Sequence, residues 1–317
     1  MRQPRTQRST FPLAGAAVGL LLTALAAAGC SPQQADRPVI VVTTNILGDV
    51  VQNMVGGQAE VVTLMQPNAD PHSFEISAQQ AATMRSAGLI VANGLGLEEG
   101  LQQHVDGAQA DDVPVFVAGD AIEPLAYSTE SGASEDDQGA ADPHFWTDPA
   151  RMVAVVDGLE GSVAAIPGID AAALGSTADA YRTELSGLDA LMSSSFAAIP
   201  AERRNLVTNH HVFGYLADRF DFRVIGAVIP GGTTLASPSA SDLRDLVSAI
   251  EEARVSTIFA EASQPDRLVK ALADGANLDV AVVELFTESL TAPGEGADSY
   301  LTMMRTNTER IATGLSP

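Results

Sequence analysis

Asp-Pro-His occurs twice in this 317-residue chain, at Asp70-Pro71-His72 and at Asp142-Pro143-His144. Proline fixes the backbone immediately before each imidazole. Two further histidines, His210 and His211, are adjacent, and a carboxylate, Glu288, stands in Leu285-Phe286-Thr287-Glu288-Ser289. Imidazole nitrogen with one carboxylate oxygen is a donor set suited to a tetrahedral zinc ion. Each neutral imidazole gives one nitrogen to the metal and needs its other nitrogen oriented by an acceptor. Consecutive helical residues point about 100° apart, so His210 and His211 cannot both face one ion. Glu261 and His211 are candidates to orient the ligands. The fifth histidine, His104, has no motif around it and reads as a solvated helix residue.

These residues need elements to position them. From residue 39 the sequence alternates short β-branched runs with longer amphipathic ones. Strands are expected at 39–43, 60–65, 89–92 and 113–117, and again at 205–208, 223–227, 257–260 and 280–284. Helices are expected near 49–55, 77–86, 97–105, 211–219, 241–253, 266–273 and 299–314. Strands separated by helices through short connections predict an α/β fold with mainly parallel sheets. Such sheets bind ligands at the carboxyl ends of their strands, where the histidines and Glu288 fall.

Residues 169–198 contain no proline, and Leu174, Tyr181, Leu185, Leu188, Leu191 and Met192 recur at helical spacing. The reading is two lobes, each with a parallel sheet flanked by helices, at 39–168 and 199–317, joined by one long linking helix at 169–198. Residues 125–141 are rich in Ser, Gly and acid and are expected to form a mobile surface loop.

The first 29 residues read differently. Arg2, Arg5 and Arg8 precede an apolar run that closes on small residues before Cys30, the only cysteine. That pattern reads as a secretory signal peptide at 1–29, with a membrane-spanning anchor as the alternative. Cys30 looks like the acylated first residue of a bacterial lipoprotein, followed by a tether over 30–38. With one cysteine no internal disulfide forms. Acids outnumber bases 40 to 17, a formal charge of -23. Such a surface repels phosphate backbones and favours cations, so no nucleic-acid partner is expected.

Five blocks carry a resemblance. They are 70–75, 142–146, Val207-Thr208-Asn209-His210-His211-Val212-Phe213-Gly214-Tyr215, Pro230-Gly231-Gly232 with Ser237-Pro238-Ser239, and Thr287-Glu288-Ser289 before Tyr300-Leu301-Thr302-Met303-Met304. Over about residues 39–315 the chain resembles the ABC-transporter solute-binding lipoproteins for zinc and manganese, the ZnuA- and AztC-like cluster. The resemblance implies metal ligands at His72, His144, His210 and Glu288, held between two lobes. It implies Zn2+ as the transported ligand, with Mn2+ as the alternative, and a membrane permease and ATPase as partners. The protein would sit outside the cytoplasm, lipid-anchored at Cys30, as a monomer, with a metallochaperone as a candidate donor. The competing class is a secreted zinc hydrolase with Glu261 or Glu288 as base. The chain has no His-Glu-x-x-His helix, and a shell closed by Glu288 leaves no position for a reactive water, so no catalytic residue is expected.

Overall fold

The computed structural model describes residues 37–127, 138–229, 231–262, 267–276 and 279–316. The expected signal peptide, Cys30 and most of the expected tether lie outside them, as does the centre of the acidic loop. Among the described residues, no helix is long and apolar enough to cross a membrane.

Eight strands form two four-stranded parallel sheets. The first has β1 (Val39–Val42), β2 (Glu60–Thr63), β3 (Leu89–Ala92) and β4 (Val115–Val117), in the order β2-β1-β3-β4. The second has β5 (Asn205–Thr208), β6 (Arg223–Ala227), β7 (Thr257–Glu261) and β8 (Ala281–Leu285), in the order β6-β5-β7-β8. The chain therefore lays down the same sheet twice: a first strand, a neighbour on one side, then two on the other. Every pairing is parallel, so all carboxyl ends of one sheet lie along one edge, which is where side chains from different turns can converge.

The connecting helices are α1 (Asn45–Val55), α2 (Ala78–Arg85), α3 (Gln102–Ala110) and α4 (Pro149–Ala164) in the first lobe. In the second they are α6 (Gly214–Phe220), α7 (Ala240–Ala253), α8 (Arg267–Gly275) and α9 (Tyr300–Leu315). Between the sheets runs α5, Ala171–Ala197, capped by Asp170, whose side chain accepts from the Ala172 and Ala173 amides. Leu174, Ala178, Tyr181, Leu185, Leu188, Met192 and Phe196 are its buried face, a row at three- and four-residue steps. That row belongs to a single apolar core reaching from Ile40 and Val42 of the first sheet to Phe259 and Leu285 of the second. Each large side chain buried there contributes about 1.5–3 kcal/mol. The long helix thus packs on both lobes as a spine.

Two helices start later than the sequence predicts, each for a reason that bears on the site. The segment expected to be helical from 97 first turns around Glu98. Gly94, Leu95 and Gly96 all have positive φ, near 79°, 56° and 83°, a left-handed run that no α-helix accommodates. The Glu98 carboxylate is buried and accepts from the Asn93 and Gly94 amides at 2.8 and 3.2 Å and from Thr43 Oγ1 at 2.5 Å. Likewise α6 begins at Gly214 rather than 211, because residues 208–212 form a tight turn. Thr208 Oγ1 and the Val212 amide both donate to the His210 carbonyl, at 2.7 and 2.9 Å. The helix α4 has a clear start, Asp148 as cap and Pro149 as first residue, although the periodicity reading set no bounds for it.

Candidate metal centre

The two Asp-Pro-His turns fold alike. In each, the aspartate Oδ1 accepts the histidine's backbone N–H, Asp70 from His72 and Asp142 from His144, both at 2.9 Å. This is the turn that an Asx side chain forms with the amide two residues on, with proline presetting the residue between. The first turn follows β2 and the second follows β4, so both histidines sit at the carboxyl edge of the first sheet. His210 follows β5 and Glu288 follows β8, at the same edge of the second sheet.

The four side chains meet. One ligand atom from each of His72, His144, His210 and Glu288 lies within 4.8 Å of every other, the sole such group among the described residues. Glu288 Oε1 stands 2.9 Å from His72 Nε2, 3.2 Å from His144 Nε2 and 3.1 Å from His210 Nε2. His72 Nε2 and His144 Nε2 are 3.4 Å apart. A tetrahedron with metal–ligand bonds of about 2.0–2.1 Å has edges of about 3.3 Å. The four distances given, 2.9–3.4 Å, lie near that edge length, as a four-coordinate ion requires. The rings are 5.3–5.8 Å apart between centroids, steeply tilted to one another, so each nitrogen points inward without ring stacking. His144 and His210 are 0% exposed, Glu288 1% and His72 4%, which leaves an ion here little contact with bulk water.

Burial and charge act in opposite senses on these groups. Burial alone would lower the His144 imidazole, but hydrogen bonds and charge from Asp142 and Glu288 push it up to about 9. His210 is raised as well: burial opposes it, and the Glu288 and Glu261 carboxylates outweigh burial. Burial would raise Glu288, yet the three imidazoles hold it well below the usual carboxylate range. The carboxylate is therefore an anion in a basic nest.

The surrounding residues orient the rings. Asp142 Oδ1 also contacts His144 Nδ1 at 2.8 Å, and the Tyr127 hydroxyl lies 3.2 Å from the same nitrogen. With Nδ1 engaged by a carboxylate, Nε2 is the nitrogen presented to an ion. Asp142→Asn should weaken metal affinity about 10- to 100-fold while leaving the far-ultraviolet circular dichroism unchanged; competition titration with a chelator reads it, and wild-type affinity would remove Asp142 from this role. Glu261, at the end of β7 and 3% exposed, places Oε2 3.6 Å from His210 Nδ1. His211 turns away from the cluster, its ring 6.5 Å from that of Tyr127. Trp146 stacks edge-on to His144 at 5.3 Å and walls the site, its Nε1 donating to the Thr287 carbonyl at 2.8 Å. His104 is exposed on α3, far from this chemistry in role. Asp49 of α1 reaches beyond its own helix: Oδ2 accepts the Tyr300 amide at 3.0 Å and fixes the start of α9.

Sequence reasoning missed Tyr127, because it lies in the stretch expected to be a mobile loop. The ends of that loop are pinned: Ala126 bridges Ala141 antiparallel, and the Tyr127 amide donates to the Ala140 carbonyl at 2.9 Å. Asn93 was also missed. Its Nδ2 holds the Pro143 carbonyl at 3.1 Å, while its amide is gripped by Glu98. The one available signal was the pairing of Glu98 with a glycine-rich turn.

Two parallel-sheet lobes around a closed cluster of three imidazoles and a carboxylate define a two-lobed metal-binding receptor. The four candidate donor groups are buried, unlike a catalytic metal centre with a position open to solvent. The family model described as the zinc-uptake complex component A, periplasmic, matches residues 40–314, and the chain belongs to that family. It is a family of solute-binding receptors and not of enzymes. The chain is 29% identical over 305 residues to the zinc-binding protein TroA of Treponema pallidum, covering 95% of this chain and 96% of TroA. It is 28% identical over 291 residues to the manganese ABC transporter substrate-binding lipoprotein PsaA of Streptococcus pneumoniae, covering 90% and 91%. Among solved structures, the periplasmic zinc-binding protein TroA superposes with a TM-score of 0.79 at 27% identity, covering 89% of this chain and all of that one.

Proposed function

We propose that this protein is the high-affinity zinc receptor of an ABC importer, capturing Zn2+ outside the cytoplasm through His72, His144, His210 and Glu288 and delivering it to a membrane permease with its ATPase. The observation that carries the reading is the convergence of three Nε2 atoms on one oxygen of Glu288. Three nitrogens and one carboxylate suit zinc, whereas manganese is served better by oxygen donors and higher coordination numbers. Relatives named for manganese keep Mn2+ as the alternative cargo. Relatives named as lipoproteins support a receptor anchored through Cys30 after removal of residues 1–29. The lobes then span 39–168 and 199–317, with 169–198 between them.

Elemental analysis of the purified protein, followed by competition titration with zinc and manganese, tests the cargo. One zinc per chain and a large zinc preference are expected. His210→Glu exchanges a nitrogen for oxygen and adds charge, so it should narrow that preference about tenfold or more, while His211→Ala leaves it unchanged. A preference damaged by His211→Ala and untouched by His210→Glu would reverse the assignment of the paired histidines.

A further inference from the structure

With its donor groups closed off from solvent, the site exchanges metal only if part of its wall moves. Most of that wall is bonded firmly from lobe to lobe. Trp146 holds the Thr287 carbonyl, the Tyr300 hydroxyl donates to the Trp146 carbonyl at 2.7 Å, and the Tyr215 hydroxyl donates to the Asp142 carbonyl at 2.7 Å. Asn45 gives Nδ2–H to Ser289 at 2.8 Å and receives the Leu290 amide at 2.9 Å. These groups are buried, and Trp146, Tyr215, Leu290 and Tyr300 belong to the common core.

Residues 231–234, after β6, form a different kind of wall. Gly232, Thr233 and Thr234 are half-buried, and Leu235 beside them is 56% exposed. This short segment of the second lobe touches the first Asp-Pro-His turn directly and reaches the second through Tyr127. Thr234 Oγ1 donates to Asp70 Oδ2 at 2.6 Å, while Asp70 Oδ1 holds the His72 amide. Gly232 lies against the Tyr127 ring and hydroxyl so closely that a Cβ there would overlap them. That hydroxyl is 3.2 Å from His144 Nδ1 and 3.3 Å from Asp142 Oδ1. The Gly231 carbonyl accepts the His211 amide at 3.2 Å, one residue from His210. One loop therefore rests on the residues that support two of the four donor groups and is bonded beside a third.

We propose that residues 231–234 are the gate of the metal site, latched by Thr234 on Asp70 and by the fit of Gly232 against Tyr127, and that these two contacts set the rate of metal exchange. The inference rests on the reading of His72, His144, His210 and Glu288 as ligands. Neither contact uses an atom that faces the metal, so both belong to the closed wall itself. Losing one lowers the barrier to entry and to exit together, and the equilibrium affinity changes little. Thr234 and Gly232 are positioning residues, and Tyr127 is the piece through which the gate reaches His144.

The test uses the full chain loaded with one zinc, mixed rapidly with an excess of a chromogenic chelator, and the reverse mixing of metal-free protein with zinc. Thr234→Val should release zinc about tenfold faster, the weight of one hydrogen bond to a charged group. Its association rate should rise by a similar factor, leaving Kd within about threefold of wild type. Gly232→Ala should act the same way, and if it fails to fold Thr234→Val carries the test. Leu235→Ser, which alters an exposed neighbour, should keep wild-type rates. Unchanged release by Thr234→Val, a weaker Kd with an unaltered association rate, or equal acceleration by Leu235→Ser would each overturn the gate. Wild-type protein that takes up no zinc would instead overturn the ligand reading beneath it.

Discussion

His144→Ala is expected to lower zinc affinity at least about a hundredfold, one ligand's share of the roughly 10–16 kcal/mol typical of a four-ligand zinc site. The loss should be large because the ring is held from both ends. Nε2 faces Glu288 and His72, and Nδ1 is fixed by Asp142 and Tyr127. Removing it opens a gap in a fully buried cluster and leaves the Asp142 carboxylate without the ring it orients. The same change should erase most of the stabilisation that metal gives. With free zinc at a thousand times Kd the folded wild-type chain gains about 4 kcal/mol, which chelation removes. Calorimetry of wild type and variant, with zinc and with chelator, reads both effects. A variant that still binds one zinc at wild-type strength would take His144 out of the site.

Zinc affinity should climb with pH well beyond the range of an ordinary histidine. His144 is pushed up to about 9 in the metal-free protein, so at neutral pH its proton must leave before Nε2 can bind. Below that pKa each displaced proton weakens apparent affinity about tenfold per pH unit. From pH 9 to pH 7 the loss from His144 is therefore about a hundredfold, with a further loss from His210, which is raised too. Glu288 adds no proton in this window, because it is held well below the usual carboxylate range.

The metal-free protein should show the opposite trend. The His144 contribution to stability is complete below about pH 6.5, the value in the unfolded chain, and disappears as pH rises through about 9. Glu288, with its folded pKa depressed, contributes stability that is present above the usual carboxylate range and is lost only in strong acid. Titration calorimetry in buffers of different ionisation enthalpy counts the protons released. Affinity that is flat between pH 7 and pH 9 would mean that the imidazoles are already neutral there.

The eight strands could be read from the sequence to within two residues at each end, because short β-branched runs between turn residues are a local signal. The linking helix was equally legible from the recurrence of Leu174, Leu185 and Leu188, whose spacing marks one buried face. The doubled Asp-Pro-His singled out His72 and His144, since an Asx turn and its proline are neighbours in sequence. What stayed hidden depends on contacts between distant residues. Composition said that 125–141 should be mobile, yet Tyr127 joins Asp142 and His144 through a bridge formed by the loop's own ends. The helix expected from 97 yields to a turn around Glu98, because burying that carboxylate demands the amides of Asn93 and Gly94.

The residue types of the site, the alternation of strand and helix, and a net charge of the sign that favours cations are all legible along the chain. Tertiary packing alone sets His210 toward Glu288 and His211 toward Tyr127, and brings Thr234 to Asp70 across 164 residues. Periodicity and turn chemistry act over a few residues, whereas ring direction and the partner of each buried polar atom follow from the strand order that brings two sheet edges together.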